Sequence, residues 1–401
     1  MNQPTKANNI FRLTALFKAF FQSQQSAGIL LVVATLLSLV LANSPMAEPY
    51  TSFWKTEIGS HLGGFHLKHS LTGWINEALM TIFFLLVGLE IERELYIGEL
   101  SSRKRAMLPV MAALGGMIFP VLIYLLFNYN HPDSISGVGI PTATDIAFAI
   151  AIMGLLGDRV PPALKVFLTA LAIIDDLGAI VVIGVFYGSG FSALYLTFTA
   201  LICGLLYILN RRGNENVWLY GILGFSLWFS MLHSGVHATL AGVILAFALP
   251  FKSGSPNTLS YQIEHKIQWP VTYLILPLFA LSNTAITINA DMTQSLLSPE
   301  SLGIFFGLLL GKPMGIFLFS ILSVRWGIAS LSSSINKTLL LGAGILGGIG
   351  FTMAIFVDNL AFTEAKQIDL GKISILIGST TAAILGFLLL NAASKRKQKT
   401  A

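Results

Sequence analysis

LAIIDDLGAIVVI, residues Leu171–Ile183, sets Asp175 beside Asp176 in otherwise apolar sequence. In the longer run 163–187, ALKVFLTALAIIDDLGAIVVIGVFY, those two acids are the only charges after Lys165. A helix needs about 20 apolar residues to cross the hydrocarbon core of a bilayer, so this run is long enough. A carboxylate at that depth is costly. Such residues generally face a bundle interior or a water-filled cavity and mark a transport route.

Composition supports that depth. Of 401 residues, 54% are hydrophobic and 11% charged, where a soluble domain carries roughly 25% charge. Too little polar surface exists to keep a soluble fold dissolved, and apolar runs of membrane-spanning length recur along the chain. The expected class is an all-α polytopic membrane protein forming one domain, 1–401, with the lipid bilayer as its main partner. The stretch SAGILLVVATLLSLVLANSPMAE, from Ser26, is long enough to stay as a first span, so no cleavable signal peptide is expected. The single cysteine, Cys203, excludes an intrachain disulfide and a cysteine-based metal cluster, and reads as a small packed hydrophobe. The net charge of +5 does not indicate nucleic-acid binding, and no soluble partner is evident.

That charge has a topological cause. Apolar runs separated by polar punctuation give twelve expected helices, centred near residues 33, 84, 117, 147, 175, 202, 223, 242, 273, 312, 350 and 381. Connections then alternate between two sides. Of the 24 Lys and Arg residues, all but Lys55, Lys68, Lys312, Lys366 and Lys372 fall on one side, beginning with Lys6, Arg12 and Lys18. The opposite loops NYNHPDSISG, YGSGFS and ITINADMTQSLLSPE contain none. By the positive-inside rule both termini are cytoplasmic. On the outer side, FWKTEIGSHLGGFHLKHS carries strand-like residues around Gly63 and Gly64, which predicts a β-hairpin over 53–70. A lone hairpin is marginal in water and needs something to pair with, such as a second copy of itself.

Four ionisable residues stand out at membrane depth: Asp145, Asp175, Asp176 and Lys312. Adjacent helical residues point about 100° apart, so one of the paired aspartates can meet Lys312 while the other faces an aqueous cavity. Two carboxylates this close cannot both hold their charge cheaply, and each is a hard oxygen ligand for a small hard cation. One site that holds either protons or a cation is suited to exchanging them. Asp145 lies in VGIPTATDIAFAIAIMGLLG, where Pro141 removes a backbone donor and favours an interrupted helix. LLLGAGILGGIGFTMAIFV, with Gly342, Gly344, Gly347, Gly348 and Gly350, is equally easy to interrupt. Broken helices expose partial charges at their inner ends, which a carboxylate (Asp145) and an ammonium (Lys312) would balance.

Taken in order, FFLLVGLEIEREL, PTATDIAFA, ALAIIDDLGAI, SGVHATLAGVI, YLILPLFALSN, GKPMGI and GIGFTMAIF make the chain resemble the NhaA-type sodium/proton antiporters along nearly its whole length. That family is itself a standard example of inverted-repeat transporters. The resemblance implies an inverted-repeat core at 107–187 and 302–394, interface helices over 194–283, and two broken helices crossing at mid-membrane. It makes Asp175 and Asp176 the cation- and proton-binding pair, Asp176 the more exposed to a cytoplasmic funnel. Thr144 and Asp145 would lie near the ion and the helix ends, and Lys312 would pair with Asp175 when no cation is bound. The implied activity is electrogenic, pH-regulated exchange of sodium or lithium for protons by alternating access in the bacterial inner membrane. It would serve sodium and pH homeostasis and need no cofactor. Candidate pH-regulatory positions are Glu90, Arg93, Glu94, Glu264 and His265. Homodimerisation would run through the hairpin. Glu92, Gln268 and Glu77 depart from the family pattern, which bears on pH activation and leaves the transport site intact.

Other classes fit less well. An intramembrane aspartyl protease also needs two aspartates, but its glycine signature fails at Leu156, and GLLGD ending at Asp158 lies in a basic loop. No repeated carbonyl-rich loops suggest a passive channel. A sodium-coupled solute symporter has less need of a displaceable lysine.

Overall fold

The computed structural model describes residues 25–59, 61, 62, 65, 66, 68–188, 190–251 and 258–400. Lys6, Arg12, Lys18, Lys252 and the Gly63–Gly64 turn lie outside the described residues, as do the side chains of Arg396, Lys397 and Lys399. The chain is almost entirely helical. In order come α1 (Ser26–Ala42), α2 (Ala47–Lys55), four short strands, α3 (Leu71–Tyr96), α4 (Arg103–Asn128) and a 3-10 segment (Pro132–Thr142). Then follow α5 (Ile146–Gly154), α6 (Pro162–Phe186), α7 (Ala193–Arg211), α8 (Val217–Leu232), α9 (Leu240–Ala248) and α10 (residues 259–283). The last are α11 (Ala290–Ser295), α12 (Pro299–Arg325), α13 (Lys337–Gly347), α14 (Phe351–Ala361) and α15 (Ala365–Thr400).

Six of these helices are long and apolar enough to cross a membrane, and up to nine spans result if each of three bent pairs counts once. The expectation of twelve exceeds that number, and the shortfall has a local cause. α8 and α9 are short, with 16 and 9 residues. α10 opens on the polar stretch LSYQIEHKIQ, so too little of its length is apolar. Pro270 and Pro277, each lacking the N–H that would bond four residues back, flank a wide π-turn at Val271–Ile275. The outer surface is apolar, with Leu126, Phe186 and Trp218 among its most exposed side chains, as a lipid-facing surface requires.

The two breaks fall at the two interruptible segments. Pro132–Thr142 and α5 meet at 45° across an extended Ala143–Asp145, and α13 and α14 meet at 44° across Gly348–Gly350. The most extensive packing among the described residues is α4 against α12. There the backbones touch: a Cβ on Gly115 would lie 2.2 Å from the Gly315 carbonyl oxygen, and one on Gly315 would lie 2.0 Å from that of Gly115. Small residues permit this approach where helices pack within a membrane.

Strand pairing is antiparallel, Glu57–Ile58 (β1) with His69–Ser70 (β4) and His61–Leu62 (β2) with Phe65–His66 (β3). The pairing begins at Glu57, later than residue 53, because Phe53–Lys55 close α2, whose Glu48 and Lys55 complement its dipole at either end. Trp74 Nε1 ties the ribbon to α3 by donating to the Ile58 carbonyl at 2.9 Å.

Candidate functional site

Lys312 is fully buried, at 0% exposure, on α12. Its neighbour Pro313 cannot donate to the carbonyl of Leu309, and the helix widens into a π-turn at Gly307–Gly311 immediately before the lysine. Such turns recur at functional positions. The ammonium donates to Asp175 Oδ2, forming an ion pair, and to Thr144 Oγ1. Thr144 Oγ1 stands 2.8 Å from Asp175 Oδ2 and 2.7 Å from the Gly347 carbonyl oxygen. The hydroxyl has one proton, so it serves one of those acceptors at a time. The last carbonyls of α13 therefore contribute to the same polar cluster as the break before α5.

Asp145 works differently. It is the N-cap of α5, with Oδ1 accepting from the Phe148 N–H at 3.0 Å. Its Oδ2 accepts from both the N–H (3.1 Å) and the hydroxyl of Thr352 in the first turn of α14. Its own N–H donates to the Ile349 carbonyl at 2.7 Å. One carboxylate thus meets the positive ends of two half-helices.

The structure brings Thr144, Asp175 and Lys312 into direct contact. Asp145 sits beside them within the helix crossing and bonds backbone groups there. Asp176 lies within electrostatic reach of Asp175, Asp145 and Glu90. Asp175 and Asp176 are each 1% exposed, and one oxygen of each (Oδ1) lacks a hydrogen-bond partner among the described residues. The expected greater exposure of Asp176 is absent from this conformation, which encloses both acids.

At the end of α3, Arg93 pairs with Glu264 of α10 and lies 3.8 Å from Glu94, whose Oε2 accepts from the Glu99 N–H. Glu90 is within electrostatic reach of Arg93, Glu264 and Glu94. His265 is exposed and packs edge-on against Tyr261, with ring centroids 4.4 Å apart. Four of the five candidate regulatory residues therefore form one group, and His265 stands at its margin.

Sequence reading missed Thr352 and the Gly347 carbonyl. Beyond the four ionisable residues expected at membrane depth, Glu92, Glu264, Glu300, Asp358 and Lys372 are also buried in the protein.

A helical bundle with two interrupted helices crossing beside a buried carboxylate–ammonium pair defines a secondary transporter for small ions. The profile of the family described as Na+/H+ antiporter 1 matches residues 18–390, and the chain belongs to that family. It is 49% identical over 379 residues to the Na(+)/H(+) antiporter NhaA of Cytophaga hutchinsonii, covering 94% of this chain and 96% of that one. It is 50% identical over 376 residues to the antiporter of the same name from Flavobacterium psychrophilum, with 94% and 96% covered. The NhaA antiporter of Proteus mirabilis shares 48% over 390 residues, covering 96% of this chain and all of that one. This is a multi-pass membrane protein from a bacterial family of transporters, not of enzymes.

Proposed function

We propose that the chain exchanges sodium or lithium for protons across the bacterial inner membrane, electrogenically and by alternating access, extruding sodium. The observation that carries this reading is the Lys312–Asp175 ion pair, which shares Thr144 and has within electrostatic reach the buried Asp176, whose Oδ1 is unpartnered among the described residues. A sodium ion entering there displaces the ammonium from Asp175 and finds hard oxygen ligands in Asp175, Asp176, Thr144 and, at the edge of the crossing, Asp145. In a medium of low dielectric sodium and protons compete for the same site, so protons leave as sodium arrives. Release of two protons for one sodium ion moves net charge, so membrane potential drives the cycle.

The same reading makes the cluster of Glu90, Arg93, Glu94 and Glu264, with His265 beside it, the pH-regulatory group, since Glu90 lies within electrostatic reach of both Asp176 and Glu264. It takes the span count as twelve, with both termini cytoplasmic and the units 107–187 and 302–394 as inverted repeats. Each unit holds one of the two broken helices, which supports that pairing. The hairpin serves homodimerisation, and no cofactor takes part.

Everted vesicles from cells without antiporters of their own test this. A dye reports the proton gradient as sodium, lithium or potassium is added at neutral and alkaline pH. Dequenching by sodium and lithium, absent with potassium and lost in Asp176→Asn, is expected. No response from inserted wild-type protein overturns the reading.

A further inference from the structure

Asp358 lies on α14, six residues beyond Thr352, or some 9 Å along the axis at about 1.5 Å per residue. It is fully buried, and neither carboxylate oxygen has a hydrogen-bond partner among the described residues. The opening that admits it is Gly371 of α15, where a Cβ would lie 1.9 Å from Asp358 Oδ1. Lys372 (8% exposed) and Asp369 of the same helix, with Glu300 at the start of α12, lie within electrostatic reach of Asp358. Glu300 is buried too, and its Oε1 is also unpartnered.

Gln367 of α15 hydrogen-bonds Glu300, and the other neighbours leave Asp358 unserved. Tyr124 of α4 and Tyr187 after α6 are within electrostatic reach of Asp358, yet their hydroxyls donate to the carbonyls of Ser134 (2.6 Å) and Ser136 (2.8 Å). α10 offers Asn283, whose Oδ1 takes the Asn359 amide at 2.8 Å. The charged residue of the 3-10 segment, Asp133, is exposed at its far end. Asp369 in turn lines a surface cavity of about 340 Å³ with Thr287, Asn289, Ser295 and Lys366.

A buried carboxylate without a partner costs more than a typical hydrogen bond returns. With Lys372 as the buried ammonium near Asp358, Asp358 and Glu300 cannot both stay ionised away from water, whereas a packing role alone is met by an apolar side chain. Asp369, at the surface cavity, also has Lys55 of α2 within electrostatic reach. We propose that Asp358, with Glu300 and Lys372, forms a second proton-binding site, set between the Asp369 cavity and the helix crossing. A proton from water in that cavity forms an O–H bond on an Asp358 or Glu300 carboxyl and leaves by the same route, with Lys372 balancing the ionised form. Asp358 shares α14 with Thr352, so its charge acts on the half-helix that Asp145 holds. The proposal rests on the exchange reading above and adds a proton-loading station on the side where α14 and α15 are joined, which the positive-inside pattern makes the outer one.

Exchange is measured in right-side-out and everted vesicles with bath and lumen pH set separately. In Asp358→Asn the pH midpoint on the α14–α15 side is expected to fall by about one unit, tenfold in proton concentration, because the fully buried, unpartnered carboxyl is gone and Glu300, which accepts a hydrogen bond from Gln367, holds its proton less tightly. Lys372→Gln is expected to raise the same midpoint. The midpoint on the opposite side and the apparent KM for sodium stay at wild-type values in both. A merely structural role lowers rates at every pH alike. If Asp358→Asn does not fold, Lys372→Gln and Glu300→Gln carry the test, and unmoved midpoints in them overturn the proposal. Asp176→Asn is run alongside: if it still exchanges, the main-site reading falls, independently of the result at Asp358.

Discussion

Asp145 and Thr352, 207 positions apart in sequence, meet at one carboxylate oxygen, which takes both the backbone N–H and the hydroxyl of the threonine. The other oxygen takes the Phe148 N–H, so the first turns of two half-helices share one anion.

Asp145→Ala removes that anion from both ends. Hydrogen bonds to a charged acceptor are worth about 1.5–3 kcal/mol each, and the expected loss of stability is on the order of 3 kcal/mol, with Thr352→Val losing about half as much. Thermal unfolding of the detergent-purified protein measures both. An unchanged Tm in Asp145→Ala removes the shared-cap account.

Lys312→Met leaves Asp175 buried with no counter-ion. Breaking such a pair costs about 3–5 kcal/mol. Adding Asp175→Asn is expected to recover most of that stability, because no charge is left unpaired, while exchange stays absent in single and double variants alike. A double variant as unstable as Lys312→Met contradicts the ion pair as the cause.

Thr144→Val keeps the side-chain shape and deletes the hydroxyl between Lys312, Asp175 and the Gly347 carbonyl. The apparent KM for sodium is expected to rise about tenfold, equivalent to about 1.4 kcal/mol, with a smaller change in maximal rate. Thr144→Ser retains the hydroxyl and stays near wild type. Initial exchange rates over a sodium series separate the two.

Why these residues were legible in sequence, and others not, follows from their surroundings. Asp175, Asp176, Asp145 and Lys312 are each misplaced within a single apolar window, so the sequence alone marks them. Thr352 and the Gly347 carbonyl are ordinary within a helix and matter only through contacts more than 200 positions away. Asp358 and Lys372 stand near polar sequence where α14 ends and α15 begins, which reads as headgroup level, although packing buries both. The helix breaks were visible from Pro141 and the glycines of α13. The irregular 217–283 region was not, because its average apolarity conceals two prolines and short helices.

Arg93→Gln removes the guanidinium that pairs with Glu264. Without that positive charge Glu264 keeps its proton to higher pH, so the acidic limb of the exchange profile is expected to move toward alkaline pH. The sodium KM at the optimum is expected to hold. Exchange rates across a pH series check the sign, and a shift toward acid contradicts the pairing as a regulatory contact.

The contact between Gly115 and Gly315 has a mechanical consequence. Two backbones that touch at glycines, with Phe319 beside Gly115 and Phe119 beside Gly315, resist being pushed together and leave tilting about the touch point as the open motion, so the contact serves as a fulcrum for α4 and α12. Lys312 is three residues from that point and Arg325 is ten. At about 1.5 Å per residue, a tilt of about 10° displaces the Arg325 end by roughly 2.6 Å and the lysine backbone by about 0.8 Å. The lever is longest at its end and shortest at the charge, so the helix can swing while its ammonium stays close to Asp175.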